Sequence, residues 1–143
     1  MTATTVILGF DFGMKYIGVA TGQTLTKTAT PITSIRATDG IPNWQEIEAL
    51  IQTWQPTVLI VGIPLNMDDT PQLLTHCATK FANRLKHKFK LPVHLVDERL
   101  STWEAKNRLT TTSKEFSTKE LLQINAEAAA ILVEQWLQLH FKL

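Results

Sequence analysis

The first thirty-five residues set short β-branched apolar runs between turn residues, whereas beyond residue 43 apolar positions recur mainly at helical spacing. Thr4 to Phe10 reads as a strand that stops at Asp11. After a turn at Gly13, Tyr16-Ile17-Gly18-Val19-Ala20 reads as the returning strand of a hairpin. Thr28 to Ile35 reads as a third strand, with Pro31 placing part of it at an edge. Pro42 precedes Asn43 and Glu46, an Asn-x-x-Glu helix start; Ile47, Leu50, Ile51 and Trp54 then step along a helix that Pro56 ends. Val58-Leu59-Ile60-Val61 is continuously apolar, as in a strand covered on both faces. Thr70-Pro71 predicts an N-cap with proline in the first turn, opening a helix to about Lys88 with Leu74, Cys77, Phe81 and Leu85 on one stripe. Pro92 to Val96 is a short strand ending at Asp97-Glu98, and Ser101-Thr102-Trp103-Glu104 is the capping box of a short helix. Thr110 to Thr118 reads as a polar loop before a last helix from about Lys119 to Leu139.

Three strands followed by helix-strand alternation predict an α/β domain spanning residues 1–143. Its mixed five-stranded sheet would join a three-strand antiparallel meander to parallel strands, with helices on both faces. Functional residues in such sheets gather outside the strand ends. Composition narrows the setting: 44% hydrophobic and 19% charged residues in 143 exclude a disordered chain. A formal charge of +1 singles out no partner, and Cys77, the one cysteine, fits a reducing compartment. Neither a basic leader before an apolar run nor a bilayer-length apolar stretch occurs, so the expectation is a cytoplasmic protein with no membrane partner.

Two strand ends carry acids. Asp11 with Gly13 makes an ordinary hairpin turn, or a carboxylate held rigidly where glycine lets a phosphate or metal approach. Asp97 and Glu98, with Arg99 after them, leave a strand expected to neighbour the first and make a strand-to-helix loop or a second set of oxygen ligands. Together they favour a hard cation such as magnesium. In the last helix Leu121, Asn125, Ala128, Leu132, Trp136 and Leu139 form a stripe that places Asn125 toward the sheet, while Glu127 falls off the stripe and is expected in solvent. A buried amide needs a partner, so Asn125 either bonds nearby backbone or joins the acidic cluster. Lys80, Arg84 and Lys88 recur every four residues, giving a basic ridge opposite the apolar stripe of their helix. It is either a solvated face or a contact for phosphate backbone, for which Lys15 and Arg99, beside the acidic strand ends, are further candidates. The four histidines lack zinc-ligand spacing, and no phosphate-loop or dinucleotide motif is present.

Four segments, read together, resemble the signature blocks of the YqgF (RuvX) family: Gly9 to Ala20, Val61 to Asp68, Asp97 to Thr102, and Ile124 to Leu132. The resemblance covers almost the whole chain, in order. It implies an RNase H-like fold related to the Holliday-junction resolvase RuvC and a nuclease dependent on Mg2+ or Mn2+. It further implies action on the 5′ end of precursor 16S ribosomal RNA, with branched DNA as the alternative substrate. By position Asp11 would be the first ligand, and Glu98, with Asp97 beside it, the second acidic position. Asn125 stands where the family usually has aspartate, so a neutral amide replaces a charged ligand. The implied chemistry is attack by water on a phosphodiester beside two divalent ions about 4 Å apart. The competing expectation is an RNA- or ribosome-binding protein in which Asn125 has weakened or ended catalysis. Pre-ribosomal particles join the expected partners, and the chain would act as a monomer or homodimer. A sugar-kinase-like phosphotransfer reading fails on length, because it needs two such domains.

Overall fold

The computed structural model describes residues 5–63, 73–97 and 118–140. Strand β1 (Val6–Asp11) pairs antiparallel with β2 (Tyr16–Gln23), which pairs antiparallel with β3 (Thr28–Thr38). On the other side β1 runs parallel to β5 (Val58–Ile63), and β5 runs parallel to β6 (Val93–Asp97). The meander and the parallel extension thus share β1.

Among the described residues the sheet has six strands, not five. The extra one, β4 (Ile41–Pro42), returns along β3 with Thr38 opposite Ile41 and Ala37 opposite Pro42. Asp39 and Gly40, with φ of 52° and 81°, form the two-residue turn between them. Positive φ at both central residues matches the twist of the flanking strands, which is why Asp-Gly closes so many hairpins. Because β4 covers only the end of β3, Pro31 does lie on an edge. It stands where the β2–β3 register shifts, opposite Ala20, so its missing N–H removes no regular ladder bond.

Helix α1 (Trp44–Trp54) starts where the Asn43 side chain accepts a hydrogen bond from the Gln45 amide at 3.1 Å. It ends with Gln55 in the left-handed region, one residue before Pro56. Replacing Asn43 with alanine removes that cap and lowers unfolding free energy by about 1 kcal/mol, readable as a shifted urea midpoint with an unchanged slope.

Helices α1 and α2 (Leu73–Phe89) cover one face of the sheet, and α3 (Thr118–His140) covers the other. The first core joins Leu8, Phe10, Ile17, Val19, Leu59 and Val61 to Ile47, Phe81 and Leu85. The second joins Ile7, Ala20 and Ile60 to Ala129, Ala130, Val133 and Leu137. Alternation along β1 explains the division, since Leu8 and Phe10 point one way and Ile7 the other.

The buried faces of the helices are broader than the expected stripes and depart from them at the ends. In α2 the buried residues are Thr75, Ala78, Phe81, Ala82 and Leu85, with Leu74 and Cys77 half-buried at the margin. In α3 Ala128, Leu132 and Trp136 of the expected stripe are buried, and Ala129, Ala130, Val133 and Leu137 join Trp136 against the sheet, whereas Leu139 is 68% exposed. Small residues decide this face, because they let helix and sheet backbones approach closely. At the end of α1, Trp54 is 38% exposed. Among the described residues no helix is long and apolar enough to cross a membrane. The expected starts at Thr70-Pro71 and Ser101–Glu104, and the loop before Thr118, lie outside the described residues.

Candidate functional site

At the carboxyl end of β1, Asp11 stands opposite Gly18 of β2 and Gly62 of β5. Both cross-strand neighbours are glycines, so neither adjoining strand lays a side chain over it. Directly opposed residues share a face, and the face of Gly18 is the one covered by α3. A Cβ on Gly18 would overlap the carbonyl carbon and oxygen of Asn125. The same holds two residues earlier in β1, where a Cβ on Gly9 would run into Cγ2 of Val133. Asp11 therefore lies on the α3 side, 7% exposed and engaged with a neighbouring group. Burial of a carboxylate is costly without such an interaction.

Asn125 thus enters the site through its backbone. Close contact at Gly18 seats this turn of α3 over the strand next to Asp11, while the Asn125 side chain remains half-buried. Glu127, expected in solvent, is half-buried and engaged. Helices pack by whole faces, and a residue off the main stripe can still lie along the flank.

The row continues on both sides. Gly62 stands opposite Val96, and Ile63 opposite Asp97, which ends β6; that strand does not neighbour β1 as expected, because β5 pairs with both and lies between them. Strand spacing puts those two backbones about 10 Å apart. Nothing is described of the Asp97 side chain, and Glu98 and Arg99 lie outside the described residues. In the other direction Gly18 stands opposite Ser34, whose buried Oγ has no hydrogen-bond partner among the described residues. The sequence reading missed Ser34; its only signal is alternation with the buried Ile35.

Asp11 and Asn125 offer oxygen donors, the chemistry that suits a hard divalent cation rather than zinc. Among the described residues no group of three His, Cys, Asp or Glu could hold a metal ion. His94 lies against the ring of Trp136, with ring centroids 5.4 Å apart.

The basic candidates fall into two places. Lys15 is exposed in the turn after β1, on Asp11's end of the sheet. Its carbonyl accepts from the Ala37 amide at 2.7 Å, and that of Met14 accepts from Gly40 at 2.9 Å, tying this turn to the β3–β4 hairpin. Lys80 and Arg84 are exposed on α2, across the sheet from Asp11. Their ridge does not stand opposite the apolar stripe, as expected, but borders the seam with α1 and the hairpin. There Lys88 lies 5.3 Å from the ring centroid of Trp44, which stacks on Phe81. Helical periodicity gives the spacing of such a ridge; only the neighbouring elements decide what it borders.

Comparison with known proteins agrees with this architecture. The chain is 52% identical over 141 residues to a Shewanella oneidensis protein named "Putative pre-16S rRNA nuclease", covering 99% of each chain. A Coxiella burnetii protein of the same name is 50% identical over 133 residues, covering 93% of this chain and 92% of its own. Among solved structures, Thermus thermophilus RuvC in complex with a Holliday junction substrate superposes with a TM-score of 0.55 at 12% identity, over 96% of both chains. The yeast mitochondrial resolvase Ydc2 gives 0.51 at 10% identity, over 92% of this chain and 77% of its own. These likenesses identify the fold as the RuvC-type, RNase H-like one. The model of the family described as RuvX, Holliday junction resolvase, matches residues 5–139, and the chain belongs to that family.

Proposed function

We propose that this chain is a nuclease that hydrolyses phosphodiester bonds near the 5′ end of precursor 16S ribosomal RNA. The observation that carries the proposal is the seating of Asn125 over Gly18, beside Asp11, in a family whose near relatives bear a nuclease name. Asp11, Glu98 and Asn125 are the residues that would hold Mg2+ or Mn2+, with Asp97 beside Glu98. A bound divalent ion supplies charge stabilisation and a more acidic water. The chain itself contributes a rigid strand end that fixes the Asp11 carboxylate and glycine neighbours that leave its approach open. Lys15 holds phosphate at that end of the sheet, and Arg99, which follows Glu98 in the chain, is the second candidate for phosphate.

Asn125 sets the expected level of activity. An amide oxygen can ligate, but it brings no negative charge to offset a dication, so cation affinity and rate are low. Asn125→Asp restores that charge and raises divalent-dependent cleavage by about tenfold or more. An equal or lower rate in single-turnover assays would remove this explanation. The deciding experiment incubates purified protein with precursor 16S RNA and, separately, with a four-way DNA junction, with and without Mg2+ or Mn2+. Cleavage of RNA near the mature 5′ end supports the proposal, and cleavage of the junction alone transfers the activity to branched DNA. Binding without cleavage supports the alternative, a binder of RNA or pre-ribosomal particles whose chemistry was lost with the acid at position 125.

A further inference from the structure

Two hollows lie side by side on the face of the sheet away from Asp11, with Trp44 forming a wall of both. The upper one, about 120 Å³, is lined by Asp39, Pro42, Trp44, Lys80, Phe81 and Arg84 among others. The lower one, about 320 Å³, is lined by Trp44, Glu48, Gln52 and Lys88 with neighbours from both helices. Lys80 and Arg84 are exposed and form no ion pair with any described residue, and Lys88 caps the Trp44 ring. Trp44 itself is half-buried and held by its stack on Phe81 at 5.6 Å, so a planar ring is fixed between cations before any ligand arrives.

This patch is joined to the Asp11 end. The hairpin tip that walls the upper hollow bonds through Gly40 to Met14, three residues after Asp11. A route therefore leads from Asp11 past Lys15, over the Asp39-Gly40 turn, to Lys80 and Arg84. Evenly spaced cations beside a fixed aromatic ring suit an unpaired strand, whose phosphates draw Lys88 off the Trp44 ring and follow the cations while a base takes the ring face that Lys88 leaves. A duplex needs a broader groove or flat face, and these hollows are narrow.

We infer that the Lys80–Arg84–Lys88 ridge and Trp44 form an exosite for single-stranded nucleic acid, engaging the strand beyond the point where it meets Asp11. The inference rests on the nuclease reading for its biological sense, but its test does not use cleavage. Two acids border the track, Asp39 in the upper hollow and Glu48 in the lower. They supply a test of opposite sign.

Binding of a fluorescent single-stranded RNA of about 20 nucleotides is measured by anisotropy across a salt series, with every variant built on Asp11→Asn. Lys80→Glu with Arg84→Glu weakens binding at least about tenfold and reduces the salt dependence by about 1.4, two contacts at about 0.7 each. Asp39→Asn, which keeps a residue tolerant of the left-handed backbone there, tightens binding about two- to threefold. Trp44→Ala weakens it further at fixed salt without changing the slope. Circular dichroism and urea midpoints confirm that each variant folds. Unchanged affinity in the double charge reversal overturns the exosite, as does an effect confined to double-stranded RNA. Should Asp11→Asn still cleave, the reaction reading fails while the exosite is judged on these numbers alone.

Discussion

Asp11→Asn abolishes cleavage, with a loss of more than about 10²-fold, and leaves the fold intact. The exchange keeps size and shape, so neither the pairing with Gly18 and Gly62 nor the contacts of α3 need move. It removes the charge that would oppose a dication, and losing a direct ligand costs more than the ten- to hundredfold typical of the groups that orient ligands. A buried carboxylate also carries a desolvation cost, so the urea midpoint stays level or rises slightly, the usual trade at functional positions. Single-turnover assays on RNA, paired with denaturation of both proteins, read the two halves together. Undiminished cleavage in a folded Asp11→Asn protein would remove the proposed centre.

The second large effect is expected at Gly18. Alanine there drives a methyl group into the carbonyl of Asn125, with the Ala126 nitrogen 3.0 Å away; all these atoms are backbone. A side chain can rotate aside, but a helix must shift as a body, which costs about 2–3 kcal/mol and at times more. Gly18→Ala therefore lowers the urea midpoint and pushes the Asn125 turn away from Asp11, so activity falls by more than stability alone accounts for. Gly9 supplies the control, because its obstruction is the Val133 side chain. Val133→Ala should recover much of the stability lost in Gly9→Ala, whereas trimming side chains should not rescue Gly18→Ala. Rescue of Gly18→Ala by Val133→Ala would contradict the backbone contact.

The succession of strands and helices along the chain was legible because alternation and capping are local, whereas the place of β6 beyond β5 was not. Asn43 caps α1 as its spacing predicts, and Val58 to Val61 forms the inner strand that a continuous apolar run implies. The fourth strand was also legible in principle, since Asp39-Gly40 is a strong hairpin signal. It was hidden by the brevity of β4, two residues that merge into the helix start. What local pattern could not reach was the surface each helix chooses. The stripe through Asn125 counts apolar residues, but the sheet beneath α3 offers Gly9, Gly18 and Gly22, and it selects the face with alanines to match. The meeting of Asp11 with the Asn125 turn depends on that choice, across more than a hundred residues. Motif resemblance placed both residues in one set; register explains how they come together. Ser34 and the Trp44 stack belong to the same category, being consequences of pairing between distant elements.

The glycine-lined sheet face has a further consequence for the order in which the molecule matures. A nascent polypeptide that has emerged only as far as β6 holds Ile7, Ala20 and Ile60 with nothing yet laid across them, because their covering comes from α3. Long-range closure of this kind is slow compared with local helix formation. During synthesis the protein therefore passes through a stage with an uncovered apolar sheet and an incomplete Asp11 pole. In that interval a chaperone has something to hold, and the proposed nuclease centre has not yet been assembled.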